Sequence, residues 1–325
     1  MKKILQASLL VCITIGLAAC GNDAATTTTS ETASAHSDAQ VTDETLTIGV
    51  LPAESAIPII LAQEEGYFAD RGLTVAIKSF TSPNDRNVAI QAGELQGTIS
   101  DVMTEATFKQ NGIDMMITSD ILEDFKILAS PHSGITDISG LADKKVTLVP
   151  NFILEYIMDR FADTHDFSYD IVDISSFSAR SEALLSDQVD GAVYTEPQAS
   201  MLAAQGAVIL GSSKEAGIKG GTLQFMTDVI DNRPQDITAF YEAYNQGIDY
   251  MNTHSAKDYA DILADYQFPD AMSAYLDSQT EDYPYAQAVP KDQFEAIIGW
   301  TKDNGQIDQI FTYDELVNND FLTNK

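Results

Sequence analysis

Basic residues are scarce in this chain: 18 Lys and Arg stand against 49 Asp and Glu, for a net charge of −31 over 325 residues. A deficit of that size, spread along the whole chain, excludes a face able to neutralise phosphates, so no nucleic-acid partner is expected. It also excludes electrostatic docking on anionic lipid. Cysteine is scarcer still, with Cys12 and Cys20 alone. Histidine occurs at His36, His132, His165 and His254, none at a metal-ligand spacing from another. Neither a metal site nor a cofactor is therefore expected. The loops GxxxxGK[ST], GxGxxG and GxSxG are all missing. With no poised nucleophile, base or metal set, an enzyme is the less favoured class.

The N-terminus does carry a signal. Lys2 and Lys3 precede a mostly apolar stretch, 5–19, that closes on Leu17-Ala18-Ala19-Cys20. It is short for a membrane span of about 20 residues, and a polar tract follows. The pattern has the parts of a secretory signal and resembles the lipobox of bacterial lipoproteins, in which the cysteine receives diacylglycerol. The resemblance makes 1–20 a lipoprotein signal, Cys20 the lipidated residue and the outer face of a membrane the protein's location. Cys12 leaves with the signal, so no disulfide is expected; a folded part of about 280 residues is large enough to rely on its core alone. The stretch 21–44, with its threonine run and no aromatic residue, reads as a disordered tether.

From 46 onward strand and helix alternate. Strands are expected at 46–51, 74–80, 97–100 and 115–118, and helices at 58–68, 84–92 and 102–110, with Pro58 in a first turn and Gly93 as a stop. Short connections of this kind predict a parallel sheet covered on both faces. A second copy places strands at 145–149, 170–174, 191–194 and 207–210, and helices at 154–162, 179–186 and 197–204. The glycine-rich piece 217–221 leads to a strand, 222–227, returning to the first sheet. Beyond Pro234 the chain is helical, with Ile237, Phe240, Tyr241, Tyr244, Ile248 and Met251 on one face. The pattern predicts an α/β protein of two lobes, 45–130 with 222–325 and 131–221, hinged near 129–131 and 217–221.

Particular stretches then become recognisable. Ile48-Gly49-Val50-Leu51-Pro52, Leu61-Ala62-Gln63-Glu64-Glu65-Gly66-Tyr67-Phe68 and the later Tyr194-Thr195-Glu196-Pro197 resemble the solute-binding proteins of ABC importers. The group concerned handles nitrate, sulfonates, taurine and thiamine-related pyrimidines (the SsuA/THI5-like type). The resemblance implies a two-lobed periplasmic-binding fold of type II that closes on a small-molecule solute. It further implies a monomer that docks on an ABC permease and its ATPase. A ligand sensor for a membrane signalling partner is the alternative.

Ligands of open parallel sheets bind outside the carboxyl ends of the strands. That rule selects Glu54, Ser55, Ser100, Asp101, Ser119, Asp120, Asn151, Phe152, Tyr194 and Glu196. Several of these have a purely structural alternative: Ser55, Asp101 and Asn151 are also good helix caps, and Phe152 either stacks on a flat ligand or packs under its helix. If Glu54, Asp101, Asp120 and Glu196 converge, the pocket is acidic, because Arg180 and Lys126 sit at no strand end. A pyrimidine or other nitrogen-bearing solute is then favoured over sulfonate or nitrate.

Overall fold

The computed structural model describes residues 40–322; the signal, Cys20 and the tether up to residue 39 lie outside the described residues. The first half runs β1 (Leu46–Val50), α1 (Ile57–Glu64), β2 (Val75–Ser79), α2 (Pro83–Gln91), β3 (Gly97–Asp101), α3 (Val102–Gln110) and β4 (Met115–Asp120). Then come β5 (Lys126–Ala129), β6 (Lys145–Leu148), α4 (Ile153–His165), β7 (Asp170–Asp173), α5 (Phe177–Leu185), β8 (Gly191–Tyr194), α6 (Gln198–Ala204) and β9 (Val208–Ser212). The chain ends with β10 (Gly221–Met226), α7 (Thr227–Asn232), α8 (Pro234–Thr253), α9 (Ala260–Asp265), α10 (Asp270–Asp277), α11 (Lys291–Asp303) and α12 (Tyr313–Leu316). Local chemistry sets the helix starts. Ser82 accepts the Asp85 N–H ahead of Pro83, and Asp101 accepts the Thr104 N–H at 2.8 Å.

Two five-stranded sheets result, ordered β2-β1-β3-β10-β4 and β7-β6-β8-β5-β9. In each, the fourth strand runs antiparallel to both neighbours, so the sheets are the expected parallel-rich ones with one antiparallel strand inserted in each. The sequence pattern missed β5 and α10. Lys126–Ala129 pairs residue for residue with Tyr194–Gly191 in the second sheet. The first crossing is consequently 121–125, ahead of the expected 129–131, and the second spans 213–220. At the N-terminal edge, 41–44 is not free tether. Thr42 bonds the buried Asp236 carboxylate through both its N–H and its hydroxyl, at 2.8 and 2.7 Å. Arg233 donates to the Glu44 carbonyl.

An aromatic core supports the first sheet. The ring of Phe240 lies 5.3 Å from that of Phe68 and 5.2 Å from that of Phe225. Helix α8 reaches α1 at Gly247, where a Cβ would stand 2.4 Å from the Pro58 carbonyl oxygen. Another apolar cluster runs from Val102 and Met103 of α3, through Phe294 and Ile297 of α11, to Ile153 and Ile157 of α4. It ties the two halves along one side.

The crossings are laced together. Glu123 accepts the N–H groups of Gly220 and Gly221 at 3.0 and 2.9 Å. Ser213 donates its N–H to the Phe125 carbonyl at 2.8 Å and accepts the Phe125 N–H on its hydroxyl at 2.9 Å. Lys219 pairs with Asp120 at 2.6 Å. Glu123→Ala leaves two N–H groups unpaired and is expected to lower stability by about 1–3 kcal/mol, with 121–125 and 213–220 losing amide-exchange protection first. Unchanged denaturation and exchange would show that the clasp is idle.

Candidate functional site

A cavity of about 70 Å³ lies where the strand ends of the two sheets face one another. From the first half it receives Ser55 after β1, Arg86 from the first turns of α2, and Ser100 and Asp101 at the end of β3. The second half contributes Phe152 and Ile153 at the start of α4, Phe177 and Arg180 of α5, and Thr195 after β8. Ile121 and Phe125 of the first crossing close the back. Most of the wall is apolar, as expected for a small-molecule site with a few orienting polar groups.

Four of the ten residues selected by the strand-end rule meet here: Ser55, Ser100, Asp101 and Phe152. Asp101 is 3% exposed and bridges the halves, because its Oδ2 accepts the Ile153 N–H at 3.4 Å. Burial raises its carboxyl above the ordinary range, against the pull of Arg86. The Ser100 hydroxyl is buried without a hydrogen-bond partner.

The other six go elsewhere. Glu54 lines a neighbouring cavity of about 310 Å³ with Glu123, Asp124, Lys219 and Tyr275. Burial pushes its carboxyl up to about 8. Ser119 accepts from the Tyr241 hydroxyl and donates to the Asp120 carbonyl, while Asp120 holds Lys219 and the Gln287 N–H. Glu196 is a helix-start group, accepting the Ser200 N–H at 2.9 Å. Asn151 opens on a separate groove of about 410 Å³. Tyr194 lies behind the wall, its ring 4.7 Å from the Arg180 guanidinium and its hydroxyl donating to the Phe177 carbonyl. Of the four acids whose convergence would make the pocket acidic, the cavity receives Asp101, while Glu196 lies close enough to Glu54 to help raise it.

Neither of the cavity's two cations was selected: Arg86 was overlooked, and Arg180 was weighed as a counter-charge but set aside because it sits at no strand end. Arg86 and Arg180 each stand fourth in a helix, where a positive charge opposes the helix dipole; that disfavoured placement, on helices following strands, was the available signal. Burial lowers Arg86 to about 10, offset by Asp101. Its Nη1 donates to the Ile99 carbonyl, and its Nε and Nη2 to Asn87.

A family model described as NMT1/THI5 like matches residues 54–257. Over 104 residues the chain is 32% identical to 4-amino-5-hydroxymethyl-2-methylpyrimidine phosphate synthase THI11 of Saccharomyces cerevisiae, covering 31% of each chain. The match therefore spans about a third of the length of that curated relative. In three dimensions the chain is similar to the alkanesulfonate-binding protein SsuA of Xanthomonas axonopodis pv. citri, with TM-score 0.72 and 16% identity over 84% of this chain and 97% of that one. It is also similar to a ligand-binding component of an ABC-type import system of Staphylococcus aureus, with TM-score 0.71 and 13% identity over 86% and 97% of the chains. The periplasmic nitrate-binding protein NrtA of Synechocystis PCC 6803 gives TM-score 0.70 and 13% identity over 85% and 86%. The fold is that of periplasmic solute-binding proteins.

Buried carboxyls make stability pH-dependent. Burial holds Glu54 and Glu105 near 8 and Glu123 near 7, all above their unfolded value. The folded state therefore binds more protons, and stability falls as pH rises from about 4.5 through about 8. Melting temperature is expected to drop across that window, and Glu54→Gln with Glu105→Gln to flatten the slope. A profile that rises with pH, or one the double variant leaves alone, would contradict this assignment.

Proposed function

The chain belongs to the NMT1/THI5-like family, and from that premise we propose that it is a lipid-anchored extracytoplasmic receptor for a small nitrogen-bearing solute, a pyrimidine foremost, which it delivers to an ABC permease. The observation that carries the reading is the cavity between the facing strand ends of two sheets. It is walled by the rings of Phe152 and Phe177 and entered by one carboxylate, Asp101. A flat heterocycle suits rings and apolar walls, and Asp101 keeps acceptor capacity for a ring or amino N–H. The activity for which the yeast relatives are named, which concerns a pyrimidine, and the likeness to binding components of importers support the same reading. The two crossings act as the hinge, so that solute shifts an open–closed equilibrium that the permease reads. Cys20 carries the lipid that keeps the receptor at its membrane.

A thermal-shift screen of the mature chain with pyrimidines, sulfonates, nitrate, amino acids and polyamines tests the ligand class. A pyrimidine at 100 times its dissociation constant should add about 2.7 kcal/mol of stability by mass action. Asp101→Asn retains a helix cap but loses the charge, and is expected to weaken binding at least about tenfold (some 1.4 kcal/mol); its unliganded melting point should fall as well, because the Ile153 N–H loses its acceptor and buried Arg86 its partner, so affinity is measured well below that temperature. A shift with sulfonates alone, or an Asp101→Asn variant that binds like wild type, would overturn the ligand assignment. For the anchor, labelled fatty acid is expected in the wild-type protein and lost in Cys20→Ala; equal labelling would remove Cys20 from that role.

A further inference from the structure

The groove of about 410 Å³ on which Asn151 opens adjoins the cavity, sharing Phe152 with it, but its chemistry is different. Charged residues make up 21% of the chain, yet none lines the groove. Half of its lining residues are side-chain amides: Asn87 and Gln91 of α2, Asn111 just after α3, Asn151 before α4, and Gln306 in the turn after α11. Phe108 adds a buried ring, packed with Ala89, Ile90 and Leu95 into a fixed apolar wall.

Among the described residues these amides are not spent on one another. Asn87 accepts Arg86 Nε and Nη2 on its oxygen at 3.1 and 2.8 Å, which fixes its plane and leaves its NH₂ group as a donor. Asn111 donates to the Thr107 carbonyl at 2.7 Å and keeps its oxygen as an acceptor. Gln306 Nε2 is buried with no hydrogen-bond partner, an arrangement that costs free energy until a ligand acceptor fills it. The charges bordering the groove are engaged, Arg86 on Asn87 and Glu155 on the Asn151 N–H.

A side-chain amide offers both donors and acceptors, and a hydroxyl group needs both. An anion would meet acceptors here as well as donors and no free cation, against the field of a chain with net charge −31. A cation would meet no lining carboxylate. A peptide strand is held by a sheet edge or by apolar pockets, whereas helix sides and turns build this groove. A neutral molecule dense in hydroxyls, with a C–H face to lay on a ring, fits the amides and the rings of Phe108 and Phe152 together. We propose that this groove is a second binding site, for a neutral sugar or polyol. The proposal goes beyond the receptor reading and does not rest on it.

Isothermal titration of the mature chain with methyl glucoside, N-acetylglucosamine and mannitol tests it, beside glucuronate and a capped alanine dipeptide. At least one neutral sugar or polyol is expected to bind more tightly than about 1 mM, and glucuronate and the dipeptide tenfold or more weakly than that. Gln306→Met removes the unpaired donor and should weaken the sugar tenfold or more, while the unliganded melting point holds or rises. Gln91→Ala, at an exposed position, stands in if the Met variant fails to fold, with a loss of about threefold or more. Weakening in either variant supports the groove. Sugar affinity unchanged in both moves the sugar elsewhere and overturns the second site. Binding of glucuronate or the dipeptide as tight as that of any sugar overturns the ligand class, and so does a panel in which nothing binds; a pyrimidine shift in the thermal screen is untouched by either result.

Discussion

Each sheet is completed by a strand that arrives from the other half, and the arrangement of the site depends on that exchange. Strand β5 enters the second sheet from β4 through 121–125, and β10 enters the first from β9 through 213–220. Both insert antiparallel between neighbours, and the two short crossings must lie side by side. Glu123 and the reciprocal Phe125–Ser213 bonds then fix their spacing. The carboxyl ends of β1 and β3 are thereby turned toward those of β6 and β8. A single open sheet offers its strand ends to solvent as a ligand crevice. Two sheets joined this way share one, and neither half makes it alone.

The charge of the site runs against the charge of the chain. Several acids collect behind the crossings, where Glu54, Glu123, Asp120 and Asp124 stand with Lys126 and Lys219. Burial raises Glu54 and Glu123 far enough to favour their neutral forms below about pH 8 and 7 respectively. Two arginines and one aspartate remain at the cavity. Net charge governs solubility and long-range encounter; it says nothing about the sign of a group that meets a ligand at contact distance.

Much of the fold was legible because its elements are periodic and short-linked. Helix α3 and strand β8 fall at the residues the pattern gives, and Pro234 opens the long α8. Strand β5 was not legible: a lysine and three apolar residues carry no period, and its identity comes from pairing with Tyr194–Gly191, far along the chain. The anchoring of Thr42 to Asp236, 194 positions away, was hidden for the same reason. At the site, the strand-end rule locates a residue along the strand but not the direction of its side chain. Ser100 and Asp101 turn into the cavity; Asp120 turns toward Lys219 and Glu196 back onto its own helix. Arg86 escaped, and Arg180 was discounted, because the rule looks at strand ends, whereas a first-turn helical residue reaches back over them.

On the receptor reading, the division of these groups between the two halves ties closure to solute. A ligand shifts a two-state equilibrium only through its differential affinity for the two states. Asp101 and Ser100 belong to the first half and Arg180 to the second, so a solute that uses both ends gains its full contacts only when the halves meet. Closing without it would still bury the apolar walls and make the Asp101–Ile153 bond. It would also leave Nε and Nη2 of Arg180 and the Ser100 hydroxyl dry and unpaired, a penalty that an apolar wall cannot relieve. On the receptor reading, a solute that bonds these groups removes that penalty only in the closed form, and its binding energy is therefore spent on closure.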